Sequence, residues 1–78
     1  MKVKLNSPED ISDFVNACGK FSGVHTSVTY MSRTVDGRSL MGIIGFGTGK
    51  ELRVDIITQD AEAEAEAKLT AMLQKFAI

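Results

Sequence analysis

The segment GRSLMGIIGFG, Gly37 to Gly47, places a serine directly before a short apolar run. Serine is a favoured helix N-cap because its hydroxyl accepts a hydrogen bond from a backbone N–H of the first helical turn. Ser39 therefore predicts a short helix that contains Leu40, Met41, Ile43 and Ile44. The glycines at positions 42 and 45 each cost about 1 kcal/mol of helix propensity relative to alanine, so we expect this helix to be the weakest element.

The residues before this helix alternate with a period of two, which is typical of a strand. One face of the predicted strand carries Val24, Thr26, Val28 and Tyr30, and the other carries His25, Ser27, Thr29 and Met31. Residues 33–36 form a second arm that pairs back on the first, and the dipeptide Asp36-Gly37 turns the chain towards the helix.

A short strand and a longer helix come earlier in the chain. Residues 2–5 alternate between polar and apolar and predict a half-buried strand. Ser7 as N-cap, Pro8 at the first helical position and Gly19 as C-cap bound a helix whose apolar positions are Ile11, Phe14, Val15 and Cys18. Cys18 is the single cysteine, so no internal disulfide is possible and we expect its thiol to pack in the core as a small hydrophobe.

The last third of the chain predicts a loop, a strand and a final helix. Gly47-Thr48-Gly49 is typical of a loop, and Leu52, Val54 and Ile56 alternate with polar residues as in a strand. Asp60 is placed to cap a helix whose apolar stripe is Ala65, Leu69, Met72, Leu73 and Phe76. We interpret DAEAEAEAK, residues 60–68, as the solvated start of this helix. Its acids, Glu62, Glu64 and Glu66, complement the helix dipole. The alternative is an acidic patch that binds a partner.

These patterns predict an α+β fold of order βαββαβα. Strands with one apolar face and three amphipathic helices indicate an open-faced sandwich, a four-stranded antiparallel sheet with three helices on one face. A chain of 78 residues has enough material for one core, so we expect one domain over residues 1–78.

Composition excludes several classes of function. The net charge of −1 and the lack of Lys/Arg clusters argue against a nucleic-acid partner. No stretch reaches the roughly 18 apolar residues of a membrane span, and no signal segment is apparent, so we expect a cytoplasmic protein without membrane insertion. One histidine and one cysteine give no ligand pair at a metal-site spacing, and no motif indicates a cofactor or an independent catalytic activity.

Two segments of this arrangement resemble a known family. DFVNACGKF, Asp13 to Phe21, is similar to the first helix and its exit in the phosphocarrier protein HPr of the bacterial sugar phosphotransferase system. GRSLMGIIGFG, Gly37 to Gly47, is similar to the regulatory-serine segment of HPr from Gram-positive bacteria, in which a serine is followed by aliphatic, Met and Gly residues. The resemblance covers the whole chain and implies the HPr fold.

The phosphorylation motif of the family, Gly-aliphatic-His-small-Arg-Pro-Ala, is not found at its expected place between the first strand and the first helix. Alignment from Asp13 places Ser7 at or near the histidine position and Glu9 at or near the arginine position. Glu9 and Asp10 also add negative charge where a phosphoryl group would lie, which at ~6 Å and an effective dielectric of ~20 costs roughly 3 kcal/mol per charge pair. We therefore expect no catalytic residue here.

The single histidine lies in the run Gly23-Val24-His25-Thr26-Ser27, which resembles the beginning of the family motif. Ser27 occupies the arginine position of that motif, and a strand pattern follows where a helix should start. We interpret His25 as an ordinary residue on the open face of the sheet, with phosphoryl acceptor as the alternative.

Ser39 is the site that the resemblance favours. The cap role alone accounts for a serine, and the resemblance adds phosphorylation by HPr kinase, with Arg38 contacting the phosphate. Leu40, Met41 and Phe46 would then form an apolar patch for partner docking. The resulting hypothesis is a regulatory or protein-interaction module without histidine phosphotransfer. Its partners would be HPr kinase, transcription regulators or phosphotransferase-system enzymes.

Two alternatives stay open. One is an active phosphocarrier that accepts phosphoryl groups from Enzyme I on His25 or Ser7. The other is a structural or ligand-binding domain outside the phosphotransferase system, because a fold does not fix a function.

Overall fold

A computed structural model of the chain describes residues 1–21, 23–58 and 63–78. Its elements follow the predicted βαββαβα order, with a short 3-10 helix, Gln74–Phe76, after the last α-helix. They are β1 (Lys2–Lys4), α1 (Pro8–Cys18), β2 (Val24–Tyr30), β3 (Arg33–Asp36), α2 (Leu40–Phe46), β4 (Glu51–Thr58) and α3 (Ala63–Leu73).

The strands form one antiparallel sheet in the order β1-β4-β2-β3. The longest strands, β2 and β4, lie at its centre, where Val28 pairs with Val54. β1 and β3 are the edges of this sheet, and β1 is followed outward by the last residues of the chain. Val3 forms a bridge with Ala77, and the N–H of Ile78 donates to the carbonyl of Lys2 at 3.1 Å. The predicted α+β open-faced sandwich is confirmed.

One face of the sheet packs against the helices and carries the core. Alternation along each strand places the apolar side chains on that face, which is why β2 shows a buried residue at every second position. The fully buried side chains include Val3, Leu5, Phe14, Cys18, Val24, Val28, Ile43, Leu52, Val54, Leu69 and Leu73. Cys18 is fully buried, so its predicted place in the core is confirmed.

The other face of the sheet is open and polar. It presents His25, Ser27 and Thr29 from β2, all half-buried, opposite Ile57, Asp55 and Arg53 of β4. The hydroxyls of Thr29 and Thr34 lie 3.0 Å apart across β2 and β3. Sequence alternation had placed His25 on this face, and the register agrees.

Three local features differ from the sequence-based expectation or fall outside it. Met31, predicted to end β2 on its outer face, instead begins a two-residue turn with a φ of 55°. The final α-helix stops at Leu73, so Phe76 belongs to the 3-10 helix. The predicted cap at Asp60 and the acid Glu62 lie outside the described residues. Among the described helices, none combines the length and apolarity needed to cross a membrane.

Candidate functional site

Ser39 caps α2 as predicted. Its backbone is extended, with φ −87° and ψ 95°, and its Oγ accepts a hydrogen bond from the N–H of Gly42 at 3.2 Å. Its carbonyl accepts the first intrahelical bond, from Ile43 at 3.0 Å. The side chain is half-buried, so the hydroxyl serves the cap at the border of the solvent-accessible surface.

The corner before Ser39 is held against β2 by Gly37. The N–H of Gly37 donates to the carbonyl of Thr26 at 2.9 Å, and the N–H of Ser39 donates to the carbonyl of Asp36 at 2.9 Å. A Cβ atom at position 37 would overlap the Thr26 hydroxyl and lie 3.0 Å from Sγ of Cys18. Glycine is required here because only a residue without a side chain fits this close approach.

The thiol of Cys18 and the hydroxyl of Thr26 lie together beneath that corner. Burial raises the pKa of the Cys18 thiol, and the neighbouring Thr26 hydroxyl acts in the opposite direction. The two groups do not form a hydrogen bond of standard geometry, and Thr26 Oγ1 has no hydrogen-bond partner in the described part of the chain. Such a protonated, buried thiol is unreactive, so we assign Cys18 a packing role.

Arg38 forms an ion pair with Asp36 on the solvent side of the corner. Oδ1 of Asp36 accepts from the backbone N–H of Arg38 at 2.8 Å and from its Nε at 3.3 Å, and Oδ2 accepts from Nη2 at 3.3 Å. The side-chain hydrogen bonds from Arg38, followed by its backbone N–H, lower the pKa of the Asp36 carboxyl. Both side chains are about half exposed, so solvent screens the pair.

His25 meets the same guanidinium. Its Nδ1 lies 3.4 Å from Nη2 of Arg38. A guanidinium only donates hydrogen bonds, so this contact requires a lone pair on Nδ1 and places the proton of the neutral imidazole on Nε2. The structure therefore joins His25, Asp36 and Arg38 into one polar cluster, although the sequence separates His25 from Arg38 by 13 positions.

The N-terminal half of α2 and Ile44 carry an exposed apolar surface. Leu40 is 44% exposed, Met41 79% and Ile44 51%, and we call these three residues the α2 patch. Phe46, expected at this surface, is only 5% exposed. Its ring packs 5.9 Å from that of Tyr30 and lies beneath the guanidinium of Arg33, so it belongs to the core. Ile44 takes its place at the surface.

The start of α1 is an ordinary helix cap. Ser7 Oγ accepts from the N–H of Asp10 at 3.1 Å, and the Asp10 carboxylate accepts from the N–H of Asn6 at 3.1 Å. This reciprocal arrangement satisfies donors on both sides of the helix start. With Glu9 and Asp10 in the first turn, the surface at the start of α1 is acidic.

The other polar groups considered as sites are the acids of α3, the glycine loop after α2 and the possible metal ligands, and none of them forms a site in the described residues. Of the acids in the described part of α3, Glu64 pairs with Lys68 at 3.1 Å and Glu66 accepts from Thr58 at 3.3 Å. The loop after α2 returns to the sheet, where the N–H of Gly49 donates to the carbonyl of Leu5 at 2.7 Å. Within residues 1–21, 23–58 and 63–78, no three His, Cys, Asp or Glu side chains are grouped as a metal site would need.

The strand order, the three helices on one face and the serine-capped short helix define an open-faced sandwich of the phosphocarrier type. The model of a protein family described as "PTS HPr component phosphorylation site" matches residues 10–75. The chain therefore belongs to the HPr family. The match begins after Ser7 and Glu9.

Solved structures of HPr and Crh proteins are similar over nearly the whole chain. HPr-C-His from Thermoanaerobacter tengcongensis is 22% identical with a TM-score of 0.71, covering 96% of this chain and 90% of its own, which supports the fold. The phosphocarrier protein HPr from Bacillus anthracis is 26% identical with a TM-score of 0.62, covering 92% of each chain. Crh, the catabolite repression containing protein of Bacillus subtilis, is 25% identical with a TM-score of 0.57, covering 100% of this chain and 88% of its own. No curated protein matches significantly.

Proposed function

We propose that this HPr-family protein is a regulatory interaction module that does not relay phosphoryl groups through histidine. The observation that carries this proposal is the α2 patch, three exposed apolar side chains on the helix that the half-buried Ser39 caps. Apolar surface presented together in this way favours partner binding, and a methionine adapts to partners of different shape. Ser39 is the proposed phosphorylation site.

The start of α1 supports the second part of the proposal. A phosphohistidine needs an imidazole and a nearby cation, whereas α1 begins with Ser7 and has Glu9 and Asp10 in its first turn. The Ser7 hydroxyl is already engaged with the N–H of Asp10. Carboxylates at this position repel an incoming phosphoryl group.

Family membership supports the partners that we propose. They are an HPr kinase acting on Ser39 and, at the α2 patch, transcription regulators or enzymes of the phosphotransferase system, all of them in the cytoplasm. Phosphorylation would add a charge of about −2 beside the α2 patch, which changes what can dock there.

Incubation with HPr kinase and ATP, followed by mass spectrometry, tests the modification. We expect one phosphate on the wild-type chain and none on Ser39→Asn. Asparagine preserves the helix cap but lacks the hydroxyl that accepts the phosphate. Ser7→Asn is the matched control, because it makes the same change at the other serine cap, and it should still be phosphorylated. An unmodified chain beside a modified HPr control would refute the assignment of Ser39.

A binding experiment tests the patch separately. We expect Met41→Gln to weaken capture of a catabolite regulator that binds HPr, because it removes apolar contact from the most exposed member of the patch. Met31→Gln changes an equally exposed methionine at the far end of β2 and should leave the affinity unchanged. Equal affinities for all three chains would exclude the patch as the docking surface.

One observation favours the alternative phosphocarrier function. Nη2 of Arg38 lies 3.4 Å from Nδ1 of His25, so the structure places a cation beside a candidate acceptor. Incubation with phosphoenolpyruvate and Enzyme I decides between the two functions. We expect no acid-labile phosphate, whereas an acid-labile phosphate that is lost in His25→Gln would overturn our proposal.

A further inference from the structure

Arg38 occupies a junction between two surfaces of the molecule. Its side chain reaches from the corner before α2 to the open face of the sheet, where its Nη2 atom lies 3.4 Å from His25 Nδ1 and 3.3 Å from Asp36 Oδ2. The neighbouring residue along the chain is Ser39, the cap of α2. The guanidinium that contacts the histidine therefore belongs to the residue directly before the serine.

These contacts are weak enough to exchange. The side-chain distances to Asp36 and His25, 3.3 to 3.4 Å, are at the long end for charge-assisted hydrogen bonds, and the pair is half exposed. A phosphoserine dianion carries about twice the charge of a carboxylate and offers three oxygens to a guanidinium. An adjacent phosphate at position 39 is therefore a stronger acceptor for Arg38 than either present partner.

Asp36 would remain in place after such an exchange. Its Oδ1 atom also accepts from the backbone N–H of Arg38 at 2.8 Å, the shortest contact of the cluster. This backbone contact does not depend on where the guanidinium points. His25, in contrast, has Arg38 Nη2 as its one side-chain partner among the described residues.

We propose that a phosphate on Ser39 draws the Arg38 guanidinium away from His25, so that modification of the α2 cap also changes the open face of the sheet. This inference rests on the proposed phosphorylation of Ser39 and adds the residue that transmits its effect. Release of Arg38 leaves the Nδ1 lone pair of His25 and one edge of the Asp36 carboxylate free to meet a partner. Phosphorylation of Ser39 would then change two surfaces of the protein, the start of α2 and the open face of the sheet.

The test uses a chain in which phosphoserine is installed chemically at position 39. Ligation of synthetic segments at Cys18 gives the full chain with and without the phosphate, so the result does not depend on whether any kinase accepts Ser39. His25 is the single histidine, so its two ring nitrogens are assigned without ambiguity in a long-range ¹H–¹⁵N spectrum. The spectra are recorded at a pH at which the imidazole is neutral.

We expect the ring nitrogens of the unmodified chain to differ from those of Arg38→Met, which has no donor for Nδ1. Phosphoserine should move the wild-type signals towards those of Arg38→Met and leave the signals of Arg38→Met itself unchanged. Arg53→Met is the matched control, because Arg53 lies on the same open face and pairs with Asp55 at 3.4 Å. It should keep the full response to the phosphate.

Three outcomes would overturn the inference. They are identical ring-nitrogen signals in the wild type and Arg38→Met, no response of the wild type to phosphoserine, and an equal response in Arg38→Met. The last would show that the phosphate acts on His25 through space. A kinase that ignores Ser39 would refute the proposed modification and leave the result on the synthetic chain unaffected.

Discussion

At the scale of single residues, Gly37 controls how closely the corner before α2 approaches β2. Gly37→Ala would press a methyl group into the Thr26 hydroxyl and against the Cys18 thiol. Because both side chains are buried, β2 or the corner must shift to make room for the methyl group, and we expect a loss of about 1–3 kcal/mol in the free energy of unfolding. Urea denaturation measures it.

Two substitutions make the test of Gly37 specific. Gly19→Ala should be nearly neutral, because a Cβ there meets its nearest atom at 3.7 Å and the backbone is right-handed helical. Thr26→Ala combined with Gly37→Ala should recover part of the loss, since it removes the hydroxyl that the new methyl group meets. A fully additive double variant would contradict the proposed overlap.

Met31 is the one residue other than glycine with a positive φ, 55°, in the described chain. This conformation costs a residue with a side chain about 1–2 kcal/mol, whereas glycine adopts it freely at an entropic cost of roughly 0.5–1 kcal/mol. Met31→Gly should therefore raise the free energy of unfolding by about 0.5–1 kcal/mol, detectable as a higher Tm. Ser32→Gly, next to it and at negative φ, should give no gain, and a similar rise in both variants would contradict the argument.

Asp36 gives the protein a specific dependence on acid. Its hydrogen bonds from Arg38 lower the pKa of the folded carboxyl, so their stabilisation is present above the ordinary aspartate pKa of about 4 and is lost as the pH falls through the lower folded value. Asp36→Asn should therefore be slightly less stable than the wild type at neutral pH, and this difference should disappear on acidification below about pH 4. Chemical denaturation at a series of pH values measures it. A difference that grows in acid would have the wrong sign.

The residue-scale results also show which local features the sequence could predict. Phe46 follows Ile43 by three positions, a spacing that indicates the buried side of a helix, so its place in the core was available from periodicity. The contact between Arg38 and His25 could not be predicted from the sequence, because it depends on the register of β2 and on the conformation of a long side chain. The turn at Met31 lacks the Asn-Gly or Gly signal of a two-residue hairpin, so nothing in the letters marked it.

At the scale of elements, the two serine caps allow a direct comparison. Ser7 and Ser39 each accept from a backbone N–H three residues later, at 3.1 and 3.2 Å. Ser7→Ala and Ser39→Ala should each lower the free energy of unfolding by about 1 kcal/mol, and Asn at either position should restore it. Thermal unfolding of the four variants measures this. If Ser39→Ala were neutral, the hydroxyl would not serve as a cap.

The caps were predictable because they depend on local chemistry, whereas the end of α3 was not. Leu73 and Phe76 are three positions apart, a spacing that suits both an α-helix and a 3-10 helix. The choice is made by tertiary structure, because the tighter turn brings Phe76 against Phe14 with ring centroids 5.9 Å apart. Sequence periodicity therefore predicted correctly that both side chains are buried, and it was wrong only in assigning Phe76 to the α-helix.

At the scale of the whole molecule, the chain end closes both the core and a sheet edge. Phe76 is almost fully buried against Phe14, and Ala77 and Ile78 then cover the outer edge of β1. The last residues therefore lie beside the first strand. The corner that carries Ser39 follows β3, the strand at the opposite edge of the sheet. The chain end and the proposed regulatory site therefore lie at opposite edges of the sheet.

The burial of Phe76, the last aromatic residue, predicts that its loss destabilises the whole fold. Phe76→Ala should cost about 3–5 kcal/mol, as for a large buried side chain, out of the roughly 4–12 kcal/mol expected for a domain of 78 residues. We expect a large fall in the urea midpoint or a chain that no longer folds cooperatively. Lys75→Ala is the control: its ammonium lies over the Phe76 ring and 3.7 Å from Asp13, yet both charged groups are exposed and its loss should cost at most about 0.5 kcal/mol. Comparable losses in the two variants would show that the surface charges, and not the buried ring, hold the chain end in place.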